Sequence, residues 1–475
     1  MRPLILHPDR LFPTDPSVRP IARRLYEAVA GLPIISPHGH TDPRWFAQDQ
    51  PFGNASELLL TPDHYVFRML YSQGISLEAI GLVPNGGGGT SVDPRAAWRI
   101  LAENYTLFRG TPSRMWLDWV FAEAFGLTVQ LEAASADLYY DTITDALATE
   151  AFRPRALYDR FNIEVITTTE SPLDDLAHHA AILAENDRTD GWKGRVLTAY
   201  RPDPVIDPQF DGFRDNLRKL SDLTGEDAFD YKGYLAAHRQ RRAFFASMGA
   251  TSTDHGHPTA ATADLTDAEA QALFARVTAD SVSDADAELF RAHMLTVMAG
   301  MSVEDGMVMQ IHPGAYRNHN ASLFTRFGRD KGADIPMATE YVHALRPLLS
   351  RYGNEANLTI ILFTLDETSY ARELAPLAGH YPALKLGPAW WFHDSPEGMR
   401  RFRNQMTETA GFYNTVGFND DTRAFLSIPA RHDVARRIDC GFLAQWVAEH
   451  RMEEWEAAEL AIDLSYTLAK KAYKL

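Results

Sequence analysis

Cysteine is almost absent from this chain: its 475 residues contain one, Cys440. A single thiol can form no internal disulfide and no multi-thiolate metal site, so a reducing, cytoplasmic setting is expected. Long apolar runs are also missing. No stretch of 18 apolar residues occurs, which leaves no candidate membrane-spanning helix. The opening residues, MRPLILHPDRLFPTD, lack the apolar segment of a secretory leader. Positive charge is scarce, with 46 Lys and Arg against 63 Asp and Glu and a net charge of −17. A field of that sign repels phosphate backbones and anionic lipid, so neither nucleic acid nor a membrane surface is an expected partner. An anionic ligand would need a local group of arginines. Internal repeats and low-complexity tracts are lacking too.

What is present is alternation. Short apolar or β-branched runs recur at 32–40, 163–169, 194–200, 246–254, 306–312, 358–365, 382–388 and 414–420. Several are apolar on both faces, the mark of parallel strands covered by helices. Helical patterns such as PLDDLAHHAAILAEND (172–187) and DAELFRAHMLTVMAG (286–300) lie between them. The expected fold is α/β, a distorted (β/α)8 TIM-type barrel. Strand 1 falls in residues 1–55, a helical insertion occupies 56–160, the rest of the barrel spans 161–440, and helices packed on the barrel fill 441–475. The run NGGGGT (85–90) lacks the Lys-Ser/Thr of a phosphate loop and reads as a flexible connection.

In such a barrel the chemistry collects at the C-terminal ends of the strands. Strand 1 ends in His38-Gly39-His40, whose i, i+2 spacing aims both imidazoles at one spot. Strand 3 ends in YRPD with Arg201, and strand 4 in TDHGH with Asp254, His255 and His257. Strand 5 ends in His312, strand 7 in AWWFHD, and strand 8 in NDDTR with Asp420, Asp421 and Arg423. Each alone could be structural. Strand 8 neighbours strand 1 in a closed barrel, so two histidines and one Asp make a sensible three-ligand set for one divalent ion.

The ordered set HGH, TPDHYVFRML, YRPD, DHG, MQIHPGAYRNHN, WWFHD and DDTRAFLSIPARHD resembles the uronate (glucuronate) isomerase family of the amidohydrolase superfamily over nearly the whole chain. The resemblance implies interconversion of D-glucuronate with D-fructuronate, and of D-galacturonate with D-tagaturonate; one metal position without a carboxylate cluster points to C2-to-C1 proton transfer through a cis-enediol, not to a hydride shift. The resemblance makes His38, His40 and Asp421 the metal ligands; two imidazoles and one carboxylate favour Zn²⁺, and only partial loss of activity is expected when the ion is removed. His312 would face the metal or substrate. Tyr65, Arg201, Asp254, Trp390 and Arg423 would line the sugar site. Within it, Asp421 would move hydroxyl protons, and Tyr65, made more acidic by a neighbouring Arg423, would carry the proton between carbons. Arg201 would grip the carboxylate in two-point fashion. The implied partners are a hexuronate substrate and further copies of the chain in a homo-oligomer. Two rivals stand beside this reading. A metal-dependent hydrolase of the same superfamily would want a Lys at the end of strand 4, which is missing; a non-catalytic sugar-acid binding protein would need no strand 8 Asp.

Overall fold

The structure, a computed structural model, describes residues 1–87, 92–279 and 281–475. Of the glycine run at 85–90, residues 88–90 lie outside the described residues. The strands in chain order are β1 (Ile34–Ser36), β2 (Ile163–Glu170), β3 (Arg195–Tyr200), β4 (Ser252–His255) and β5 (Val308–Ile311), then β6 (Ala315–Tyr316), β7 (Ile335–Pro336), β8 (Ile360–Leu362) and β9 (Leu384–Leu386). Seven of them form one sheet in the order β1-β2-β3-β4-β5-β8-β9, every neighbouring pair parallel. Strands β4, β5 and β8 are buried throughout, so β8 is wholly apolar, while the polar groups of β4 and β5 (Asp254, His255 and Gln310) are enclosed within the barrel. The curled parallel sheet is a distorted TIM-type barrel.

Two strand expectations need correction. The segment at 246–254 begins as the end of the helix Tyr231–Ser247, and Gly249 at φ +91° turns the chain before β4 starts at Ser252. At 414–420 no full strand forms. Thr415 makes one parallel bridge to Leu386, through Leu386 N–H to Asn414 O (2.8 Å) and Val416 N–H to Leu386 O (3.1 Å). Gly417 then takes φ +78° so closely against Leu464 that an added Cβ would lie 2.7 Å from its carbonyl oxygen. The extended run ends there. The chain nevertheless reaches β1: Ser36 Oγ donates to Asp420 Oδ1 (3.1 Å), and His40 N–H donates to Thr422 O (3.0 Å). Side chains and loop backbone close the barrel where strand ladders do not.

Between β1 and β2 the chain is helical, and its sequence states where each helix starts. Asp42, Asn54, Asp63, Asp93 and Thr111 each accept a hydrogen bond from a first-turn backbone N–H, three of them followed directly by Pro. These helices bury Trp98, Leu101, Phe121 and Tyr139 in a core that also takes Ile34, Ile163 and Phe425 from the barrel side. That contact anchors the helix His64–Tyr71 over the sheet. At the other end of the chain, the helix Ile428–Ala448 packs with Arg19–Val29 and Glu454–Ile462 around Leu25, Leu443 and Leu460. No helix among the described residues is long and apolar enough to cross a membrane.

Candidate active site

A cavity of about 750 Å³ opens where the strands end. His38 and His40 follow β1, Glu170 ends β2, Arg201 and Asp203 follow β3, and His312 follows β5. Trp390 follows β9, and Asp421 and Arg423 follow the irregular eighth segment; the insertion contributes His64 and Tyr65. The excursion between β5 and β8 adds Arg317, Asp330 and Asp334.

The histidine pair converges although β1 has already ended at Ser36. The loop is held by the His40 N–H bond to Thr422 and by the Thr169 hydroxyl, which donates to Gly39 O at 3.0 Å. The rings stand edge to face, 5.4 Å apart. Asp421 Oδ1 lies 3.2 Å from His40 Nε2 and 3.6 Å from His38 Nε2. Asp421 itself sits at φ +38°, a conformation rare for a residue with a side chain. Asp420 instead takes the Ser36 hydroxyl and His432.

These donors fit one divalent cation. One ligand atom each from His38, His40 and Asp421 lies within 4.8 Å of the others. Buried Asp421 Oδ1 makes no hydrogen bond of good geometry among the described residues, and two imidazoles with one carboxylate suit a borderline metal. Burial would raise the pKa of Asp421, but His40, His38 and His312 hold it well below the usual carboxylate range. The group therefore stays an anion.

Asp254 stands elsewhere than expected. It is fully buried and does not line the cavity; it lies 2.8 Å from His312 Nε2, 3.3 Å from Arg201 Nη1 and 4.0 Å from His38 Nδ1. A central β4 strand buried on both faces directs it beneath the site, where it orients three cavity residues. Arg201 is likewise engaged before any ligand arrives, with Nε on Asp203 (2.9 Å) and Nη1 on Asp254. Its expected two-point grip on a sugar carboxylate is largely taken by the protein's own carboxylates. Arg423 corrects a further expectation. It pairs with Asp330 at 3.2 Å, whereas the guanidiniums against the Tyr65 ring are those of Arg431 and Arg68, 5.3 and 5.5 Å from its centroid. Burial outweighs them and pushes the Tyr65 phenol above its usual range. Trp390 is fixed by its indole N–H to Thr364 O (3.1 Å) and packs on His312, centroids 5.3 Å apart.

Sequence reasoning missed several lining groups. Glu170 is pushed up to about 7 by burial while accepting the Thr198 hydroxyl; its position at the end of β2 was the available signal. His64, beside Tyr65 in the quoted motif, is depressed to about 3 by burial and so remains a neutral imidazole. Arg317 lies within the quoted MQIHPGAYRNHN motif but was given no role, and Asp330 arrives on the long excursion beyond it, outside every quoted motif. The arginines demanded by an anionic ligand are present, each matched to an aspartate: Arg201 to Asp203, Arg317 to Asp334, Arg329 to Asp211 and Arg423 to Asp330.

The pattern of the glucuronate isomerase family matches residues 17–473. A uronate isomerase of Sphingopyxis alaskensis is 78% identical over 474 residues, covering 100% of both chains. The crystal structure of glucuronate isomerase from Caulobacter crescentus superposes with a TM-score of 0.97 at 64% identity, covering 100% of this chain and 98% of that one. That of uronate isomerase from Thermotoga maritima gives 0.90 at 25% identity, covering 99% of each. With its cavity at the strand ends and a match running nearly end to end, the chain belongs to the glucuronate isomerase family.

Proposed function

We propose that this enzyme interconverts D-glucuronate with D-fructuronate, and D-galacturonate with D-tagaturonate, by proton transfer through a cis-enediol. The observation that carries the reading is the convergence of His38, His40, Asp421 and His312 on one side of the cavity with Tyr65 lining it as well. In the forward direction the C2–H proton passes to the Tyr65 oxygen in its phenolate form. The electron pair stays in the enediolate. Tyr65 returns the proton to C1 while Asp421 moves the O2 hydroxyl proton to O1, and the ketose results with atoms and charge balanced. The cycle starts from a phenolate that burial disfavours and the cations around Tyr65 favour. His38, His40 and Asp421 would hold one divalent ion, with Zn²⁺ preferred by the donor set. When bound, that ion supplies positive charge toward the sugar oxygens. His312 and Arg423 add donors for developing negative charge. Arg423 is freed for that charge by exchanging Asp330, an exposed and therefore weak partner, and the sugar carboxylate falls to Arg201. Arg201 adds its remaining edge, and Trp390 packs against the sugar. The chain acts as a homo-oligomer in the cytoplasm.

The test is turnover of glucuronate in D₂O run to equilibrium over many cycles. Deuterium at C1 of fructuronate is expected; its absence would mean hydride transfer and remove the roles given to Tyr65 and Asp421. A parallel arm with chelator should lower activity only in part, since Arg423 and His312 remain, with recovery on adding Zn²⁺. Complete loss would make the ion indispensable. A metal-dependent hydrolase would show no aldose–ketose product in either arm, and a binding protein no turnover at all.

A further inference from the structure

The geometry points to Arg431 as the positioning residue of the Tyr65 phenol, an inference that rests on the proton-transfer role proposed for Tyr65. Arg431 belongs to the helix Ile428–Ala448 and is 1% exposed. Its guanidinium lies 3.6 Å over the Trp116 ring and 5.3 Å from the centroid of Tyr65, and Trp116 and Tyr65 meet edge to face at 5.8 Å. The guanidinium's edges are fixed separately. Nε donates to Ser427 Oγ (3.2 Å), and Nη1 reaches Asp394 and the carbonyl of Asp420 (3.4 Å), the residue before Asp421. One planar cation thus links the ring of one proposed proton carrier to the backbone of the other.

A buried guanidinium is costly unless its charge is used. Its anionic neighbours, Asp394 first, hold Arg431 charged in spite of burial, while burial raises Asp394 to about 7 and also raises Asp63. Asp63 has a different task, accepting the Tyr65 backbone N–H at 2.8 Å and so fixing the start of the helix His64–Tyr71. The backbone of Tyr65 is therefore set by the cap, and its ring by the Trp116–Arg431 stack. Positive charge at that place favours the phenolate during transfer. The flat shape matters as well as the charge, because a lysine ammonium stacks on neither ring in this way.

A double-mutant cycle separates this role from a merely structural one. Tyr65→Phe is expected to lower kcat for glucuronate at least ~1000-fold, and Arg431→Met about 100-fold with KM within about threefold. In the Tyr65→Phe background, Arg431→Met should change the residual rate by less than about threefold, because the group it acts through is gone. Equal losses in both backgrounds would overturn the inference while leaving the Tyr65 reading intact. Full activity of Tyr65→Phe would overturn that reading itself, and this inference with it. Should Arg431→Met not fold, Arg431→Lys serves instead. It keeps the charge, and at least a tenfold loss of kcat at unchanged KM, again confined to the Tyr65 background, is expected. Wild-type kcat in Arg431→Lys would refute the stack.

Discussion

Arg201 shows how a single residue can serve structure and substrate together. Its guanidinium bridges Asp203, at 2.9 Å, and the fully buried Asp254, at 3.3 Å. Lysine offers one compact ammonium and cannot span both carboxylates. Arg201→Lys should therefore raise KM for glucuronate by about tenfold or more, because the remaining edge is no longer presented to the sugar. It should also lower the melting temperature, since Asp254 is left buried without its guanidinium. Steady-state kinetics and a thermal melt check both; wild-type values in each would remove Arg201 from the carboxylate contact. Glucose, which lacks the carboxylate, should be a poor substrate of the wild type in the same assay.

At the scale of one element, the turn after β4 is the tightest part of the site. A Cβ added to Gly256 would lie 2.6 Å from Arg201 Nη2, 2.7 Å from His312 Cε1 and 2.9 Å from Asp203 Oδ2. Gly256 N–H also donates to both Asp203 oxygens, at 3.1 and 3.2 Å. Space, and not backbone conformation, demands glycine here. Gly256→Ala should displace Arg201 and His312 by tenths of an ångström, enough to lower kcat/KM by about 100-fold. Far-UV circular dichroism should stay unchanged. An active Gly256→Ala enzyme would show that the loop relaxes and that this close approach has no part in orienting His312.

Across the whole molecule, buried neutral histidines set an acid limit to stability. Burial depresses His179 from 6.5 to about 4 and His238 from 6.5 to about 3; each sits against a hydroxyl, of Thr168 and Tyr200 respectively. Between about 6.5 and about 4 the unfolded chain binds protons at these positions and the folded chain does not. Stability must then fall as pH falls, by up to about 1.4 kcal/mol per pH unit for each histidine. Melting temperatures taken from pH 7.5 to 4.5 should decline through that window, and His238→Asn should make the decline shallower. A flat profile would mean that both imidazoles take up protons in the folded state.

The sequence by itself determined most of the elements and singled out the proposed inner ligands. Apolar runs bounded by helix caps gave the strand–helix alternation, because local periodicity and capping are written in neighbouring residues. His38, His40 and His312 were legible because each lies within a few residues of a strand end, and Asp421 because it follows the extended eighth segment; parallel-barrel topology brings such places together. What required the tertiary structure was every pairing between distant segments. Asp254 lies beneath the cavity because β4 is buried on both faces. Arg423 faces Asp330, 93 positions away in sequence, while Arg431, on the helix that follows, takes the place beside Tyr65 that the family resemblance had given to Arg423. Glu170 titrates near neutrality only because folding removes water from around it. Charge partners and desolvation depend on three-dimensional distance, and no spacing along the chain encodes them.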